Sequence, residues 1–208
     1  MVLAPGYAPL SFTAPEPGSY ALPAMGSAAD GAVIDSEGNS AKLHDFLGDK
    51  PTVLSFIFTT CDDVNGCPLA TYVMRSVQDA LQADPATADK ARLVSFSFDP
   101  VFDTPDVINA YGSQFRAGDF DWQFLTTEGA TTLDPILNAY GQWVIRDYDE
   151  NGEYMGTMSH ILRVFLIDES RQIRNIYSTS FLHADTVAND VRSLLMEATA
   201  DSSADTGS

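Results

Sequence analysis

Two cysteines, Cys61 and Cys67, lie in the stretch Thr59-Thr60-Cys61-Asp62-Asp63-Val64-Asn65-Gly66-Cys67-Pro68, and the chain has no others. A thiolate attacks disulfides and binds soft metal ions, so a close pair leaves three chemistries open: a structural disulfide, a redox couple or a metal site. The setting of the pair is informative. Upstream, residues 51–58 are β-branched and aromatic without a charge, which predicts a strand buried on both faces. Downstream, Pro68 suits the first helical position, and Leu69, Tyr72, Val73, Val77, Ala80 and Leu81 make an apolar stripe at helical spacing. Cys67 is therefore expected at a helix N-terminus, where unpaired N–H groups and the helix dipole favour its thiolate.

The elements that must hold this junction can be read along the chain. Residues 1–28 carry Pro5, Pro9, Pro15, Pro17 and Pro23 among Ala, Gly and Ser, and read as an extended arm or tether. Residues 32–35 and 40–43 flank the turn Ser36-Glu37-Gly38-Asn39, which predicts a β-hairpin, followed by a helical turn over 43–47. A second core strand spans 92–98 and ends in Asp99-Pro100, at the same sheet edge as the cysteines if the two strands are parallel. Thr104-Pro105-Asp106 starts a helix with Val107, Ile108, Tyr111 and Phe115 on one face.

A short strand follows at 122–125, then a helix within 128–140 whose start Asp134-Pro135 leaves open. An extended piece begins at 142–145 and gives way to an acidic loop over 146–159. Two strands at 161–167 and 172–178 are joined by the turn 168–171, and a last helix over 185–198 buries Val187, Val191, Leu194 and Leu195. The small polar tail 199–208 reads as disordered. The sum is an α/β domain over residues 29–198, with the cysteines at the carboxyl end of a central strand, where open α/β sheets place their sites.

Composition narrows the partners. The chain has 208 residues, enough for one domain with a full core, and its 29 acidic against 11 basic residues give a net charge of −18. That charge argues against nucleic acid or an anionic membrane surface as partner. Lysine is reduced to Lys42, Lys50 and Lys90, a pattern that suits a high-salt habitat as well as an ordinary solvated surface. No apolar run is long enough to span a bilayer, and the N-terminus lacks the layout of a signal peptide. There is no Gly-rich phosphate loop and no internal repeat.

Together these motifs resemble the Sco/SenC family, copper-binding proteins of thioredoxin-like fold that help assemble the binuclear copper centre of respiratory oxidases. The resemblance runs from about residue 30 to 197. The family's Cys-Pro-Asp-Val-Cys-Pro is similar to Cys61-Asp62-Asp63-Val64-Asn65-Gly66-Cys67-Pro68, with Asp62 in place of a proline and Asn65-Gly66 inserted. Asp99-Pro100, Asp103-Thr104-Pro105-Asp106 and Tyr140-Gly141 are further matches. Ser159-His160-Ile161 before Val164-Phe165-Leu166-Ile167-Asp168 resembles the family's Asp-His-Ser strand, whose histidine is a copper ligand, with Ser159 replacing the acid.

The resemblance implies a thioredoxin-like fold with an N-terminal β-hairpin and an extra hairpin insertion, and a copper site of Cys61, Cys67 and His160. A lone histidine is by default a core residue satisfied by the backbone; thioredoxin-like oxidoreductases usually carry a cis-proline near this place, and a histidine there tilts the site from disulfide exchange toward metal. Asn-Gly readily takes positive φ, so the insertion is expected to bulge outward while the sulfurs stay convergent. Met155 and Met158 are read as loop packing rather than as thioether ligands. His44 and His183 are read as surface or helix-end residues, and Asp63 as either a loop-orienting acid or a solvated one. The acids Asp147, Asp149 and Glu150 are read as a solvated run or a contact for a basic partner.

Three functions follow from the resemblance and the residues. The first is a metallochaperone for a respiratory copper centre of the cytochrome c oxidase type, carrying Cu(I) or Cu(II) and delivering it by ligand exchange to an oxidase subunit or another copper carrier. The second is a thiol–disulfide oxidoreductase, with Cys61 and Cys67 catalytic, keeping a copper-site or cytochrome partner reduced and recharged by a thioredoxin-like reductant. The third is a peroxiredoxin-like or purely structural member of the fold. The implied location is periplasmic or extracytoplasmic, with any membrane attachment made by an anchor upstream of the arm.

Overall fold

All six residues of the strand Thr52–Ile57 are buried, which is the continuous apolar run of the sequence turned into a sheet centre. In chain order the computed structural model has β1 (Gly26–Ser27), β2 (Ala32–Asp35), β3 (Ser40–Lys42), a 3-10 turn (Leu43–Phe46), β4 (Thr52–Ile57), α1 (Cys67–Gln82) and β5 (Arg92–Ser97). It continues with α2 (Pro105–Ser113), β6 (Trp122–Thr126), α3 (Ala130–Ala139), β7 (Val144–Tyr148), β8 (Tyr154–His160), β9 (Arg163–Ile167), β10 (Gln172–Ser178) and α4 (Ala184–Asp205). The structure describes residue 7 and residues 9–205. Residues 1–6 and 8 of the expected arm and 206–208 of the expected tail lie outside the described residues.

Eight strands form one sheet in the order β1-β10-β9-β4-β5-β6-β2-β3. β4, β5 and β6 run parallel, while β9 joins β4 and β2 joins β6 antiparallel. This is the expected thioredoxin-like core with its N-terminal hairpin β2–β3. The parallel β4–β5 pair brings the segment after Ile57 and the loop at Asp99-Pro100 to one edge, as the sequence predicted. α1 packs beside α4, and its buried Leu69, Val73, Val77 and Leu81 are the predicted stripe. α2 comes so close to β6 that a Cβ at Gly112 would lie 2.7 Å from the Phe124 ring, so only glycine fits there.

Two elements differ from the expectation, and the start of the helix expected within 128–140 is fixed. The acidic loop over 146–159 is instead a two-stranded ribbon, β7 paired antiparallel with β8. Its acids make the turn: Asp149 Oδ1 accepts the N–H groups of Asn151 and Glu153 at 2.9 and 2.8 Å, and Gly152 supplies φ +81°. α3 begins at Ala130 and tolerates Pro135 in its interior, at the cost of one intrahelical bond. α4 runs past Ala198 to Asp205, through part of the segment read as disordered, where Ala200 and Ala204 favour continuation of the helix.

The described part of the N-terminal arm lies against α4 and β10. Asn189 Nδ2 donates to the Pro15 carbonyl at 3.0 Å, Gly18 N–H donates to Ser193 Oγ at 3.0 Å, and Met25 N–H donates to the Ile173 carbonyl at 2.8 Å. The buried carboxylate of Asp190 accepts from the hydroxyls of Tyr20 and Tyr177 and from Asn175 Nδ2. Among the described residues, no helix is long and apolar enough to cross a membrane.

Candidate metal centre

The site is assembled at the carboxyl edge of β4 from three separate pieces of backbone. Cys67 is the first residue of α1, one position before Pro68, and Gly66 is the N-cap. Cys67 is 1% exposed, and its Sγ accepts the Phe58 N–H at 3.4 Å. Cys61 follows the turn after β4 and is half-buried; its N–H donates to the Phe58 carbonyl at 3.3 Å. His160 is the last residue of β8, paired with Val144 of β7. Its ring packs against Phe98 and Phe58, with centroids 5.1 and 5.6 Å away.

These placements bring the Sγ atoms of Cys61 and Cys67 and a ring nitrogen of His160 all within 4.8 Å of one another. The Nε2 of His160 is 3.6 Å from Cys67 Sγ, and its Nδ1 is 3.1 Å from the Met158 carbonyl. A carbonyl oxygen only accepts, so Nδ1 carries the proton and the Nε2 lone pair faces the sulfurs. The cysteines are both free thiols.

The loop between the cysteines keeps the sulfurs together by a route other than the expected one. Neither Asn65 nor Gly66 has positive φ; Gly66 sits at −99°. Asp63 turns the chain instead, with Oδ1 accepting the Asn65 N–H at 3.0 Å and its carbonyl accepting the Gly66 N–H at 2.8 Å. Of the two readings of Asp63, the loop-orienting one describes these contacts.

The thiol electrostatics also reverse the sequence expectation. Burial pushes the Cys67 thiol well above its ordinary value, and its hydrogen bond to Cys61 adds to this. Cys61 is held below its ordinary value, first by the hydrogen bond from Cys67, then, against the opposing effect of burial, by the N–H groups of Cys67 and Asp63 and by His160. The helix N-terminus does favour a thiolate, but the one it favours is Cys61, because the amide of Cys67 points at the neighbouring sulfur.

The remaining candidates separate cleanly. Met158 is buried, and Met155 is exposed. His44 Nε2 lies 3.0 Å from the Ala28 carbonyl, and His183 stacks on Tyr7 just before α4. Asp147 accepts the hydroxyls of Thr157 and Ser159 across the ribbon. No peptide bond among the described residues is cis. Asp103, in sequence only a position of the Asp103-Thr104-Pro105-Asp106 motif, is fully buried beside the site and bonded to Thr59 and Ser97. The signal available in the sequence was an acid two residues before a helix-starting proline, on the same edge as the cysteines.

A cavity of about 730 Å³ opens over the pair, walled by Phe58, Tyr72, Tyr111 and Phe115, with Asp62 and Arg75 among its polar groups. Tyr111 donates to or accepts from Thr71 Oγ at 2.8 Å, and burial pushes its phenol up to about 12. Two thiols and one imidazole at this separation fit a soft, low-coordinate metal ion; two thiolates suit Cu(I), and the added nitrogen lets the set hold Cu(II) as well.

Comparison with known proteins agrees with the fold. The SCO1/SenC family model matches residues 28–196. The SCO1 protein homolog of Bacillus subtilis (strain 168) is 29% identical over 92 residues, covering 44% of this chain and 45% of that protein, so the chain matches about half of its length. Copper-bound ScoI of Arabidopsis thaliana superposes with a TM-score of 0.69 at 20% identity, over 84% of this chain and 99% of that one. A SCO1/SenC family lipoprotein of Bacillus anthracis str. Ames superposes with a TM-score of 0.67 at 24% identity, over 81% and 95%. With the family model spanning most of its length, this chain belongs to the SCO1/SenC family.

Proposed function

We propose that this protein is a copper-binding metallochaperone for assembly of a respiratory copper centre of the cytochrome c oxidase type. The observation that carries the reading is the convergence within 4.8 Å of two sulfurs from one loop-to-helix stretch and one imidazole nitrogen 93 positions further along the chain. Copper is cargo here. Two thiolates neutralise Cu(II) and leave Cu(I) with one net negative charge, so either state can be carried. Half-exposure of Cys61 leaves one ligand reachable by an acceptor, which takes the ion by replacing protein ligands one at a time. The acceptor is an oxidase subunit or another copper carrier. The similarity to a family lipoprotein supports an extracytoplasmic location.

The test is a Cu(II) titration of fully reduced, anaerobic protein, read by thiolate-to-copper charge transfer in the visible, with His160→Ala alongside. The expected result is a saturable band at one copper per chain that is lost or shifted in the variant. No band, with copper merely oxidising the pair to a disulfide, would overturn the reading. One observation favours a second reading in that event: an accessible thiol with lowered pKa beside a buried protonated one is also the arrangement of a dithiol that exchanges with disulfides of a copper-site partner or c-type cytochrome.

A further inference from the structure

The buried carboxylate of Asp103 has no part in the donor set, yet it is tied to the segment that carries Cys61. It is fully buried, and Oδ2 accepts the Thr59 N–H at 3.0 Å. The Thr59 hydroxyl donates to Oδ1, and the Ser97 hydroxyl donates to Oδ2. Ser97 is the last residue of β5, and its oxygen in turn accepts the Asp99 N–H at 3.0 Å. The Asp103 backbone N–H donates to the Asp99 carbonyl at 2.8 Å. Asp103 is thus clamped to β5 on one side and grips the exit of β4 on the other.

The two cysteines are anchored differently. Cys67 is fixed by its place in α1 and by the Phe58 N–H. Cys61 lies in non-regular backbone between Thr59 and the Asp63 turn. Of the two bonds made by Thr59 two residues upstream, both go to Asp103. We infer that Asp103 is a positioning residue for Cys61: it fixes the upstream end of the cysteine loop against β5, so that the sulfur in the loop is presented to the one on α1 and to His160. A carboxylate suits the task because its three bonding partners, one backbone N–H and two hydroxyls, can all donate, and it accepts from all of them at once. The copper consequence of this inference rests on the proposed function, whereas the thiol consequence does not.

The experiment measures how well the two sulfurs are held together in the metal-free protein. Reduced protein is equilibrated in glutathione buffers, in which two thiols are oxidised to the internal disulfide while one glutathione disulfide is reduced to two glutathiones. The equilibrium constant reports the effective concentration of one thiol at the other. Asp103→Ala is expected to lower it at least fivefold, and Asp103→Asn, which keeps an acceptor for the Thr59 N–H, is expected to recover most of the loss. Asp190→Asn is the matched control, since Asp190 is a buried carboxylate with three donors on another part of the fold; it is expected to lower thermal stability and leave the constant unchanged.

A folded Asp103→Ala protein with the wild-type constant would overturn the inference. Should Asp103→Ala not fold, Thr59→Val, which deletes only the hydroxyl contact, carries the test: an unchanged constant overturns the inference and a drop of at least twofold supports it. Cu(II) titration of the same variants separates the two readings. A wild-type protein without a copper band defeats the proposed function, while the thiol equilibrium still decides the role of Asp103. A wild-type band that moves or broadens in Asp103→Ala and is restored in Asp103→Asn supports both.

Discussion

The Nδ1 of His160 donates to the carbonyl of Met158, two residues back along the same strand, at 3.1 Å. This contact selects the tautomer and aims Nε2 at Cys67 Sγ. In the metal-free protein the uncharged ring of His160 should therefore be the Nδ1–H tautomer. Long-range nitrogen–proton correlation spectra of labelled protein check this directly; finding the proton on Nε2 would mean that the ring needs reorientation before it can ligate.

The two thiols should differ in reactivity. Cys61 is accessible and its thiolate is favoured, whereas Cys67 is 1% exposed and its thiol is pushed up by burial. Brief treatment with iodoacetamide at neutral pH, followed by peptide mass mapping, should label Cys61 at least about tenfold faster, since the attacking species is the thiolate and the sulfur must be reached. Equal labelling would show that the loop opens faster than it reacts.

A residue far from the cysteines sets part of the acid stability. Burial works against ionisation of Asp121, but Gln123, Arg92 and Lys50 hold its carboxyl below the usual carboxylate range. Its folded pKa lies below the unfolded value of about 3.9, so its contribution is present above that pH and is lost as pH falls through the folded value. Chemical denaturation at pH 7 and at successively lower pH should show Asp121→Asn destabilised at pH 7 and converging on wild type in strong acid. A constant difference at every pH would remove Asp121 from the account.

Gly112→Ala tests the α2–β6 packing. The added methyl would lie 2.7 Å from a Phe124 ring carbon, and that ring is buried and stacked on Trp122. Overpacking of this kind costs about 1–3 kcal/mol, which outweighs the helix-propensity gain of about 1 kcal/mol or less from replacing glycine. Denaturant unfolding should show a net loss of stability, and a stabilised variant would show that α2 shifts freely.

What the sequence determined by itself was local or periodic. The charge-free run before Cys61 forced a buried strand, the stripe after Pro68 forced a helix, and the turn residues 36–39 forced a hairpin. The order of its motifs was enough to indicate the family. The acidic segment 146–159 was misread because charge suggested a loop, whereas Asp149 and Gly152 were turn formers serving two strands whose pairing is not local.

Only the tertiary structure decided how the candidate site is arranged. His160 meets Cys67 across 93 positions of sequence because β8 ends just before β9, which pairs with β4, the strand that leads into the cysteine loop. Which cysteine carries the favoured thiolate depended on the hydrogen bond between the two thiols, on burial and on the direction of one helix amide, quantities with no signature in residue order. The grip of Asp103 on Thr59 was not legible for the same reason, since it exists only once β4 and β5 lie parallel and bring their ends together.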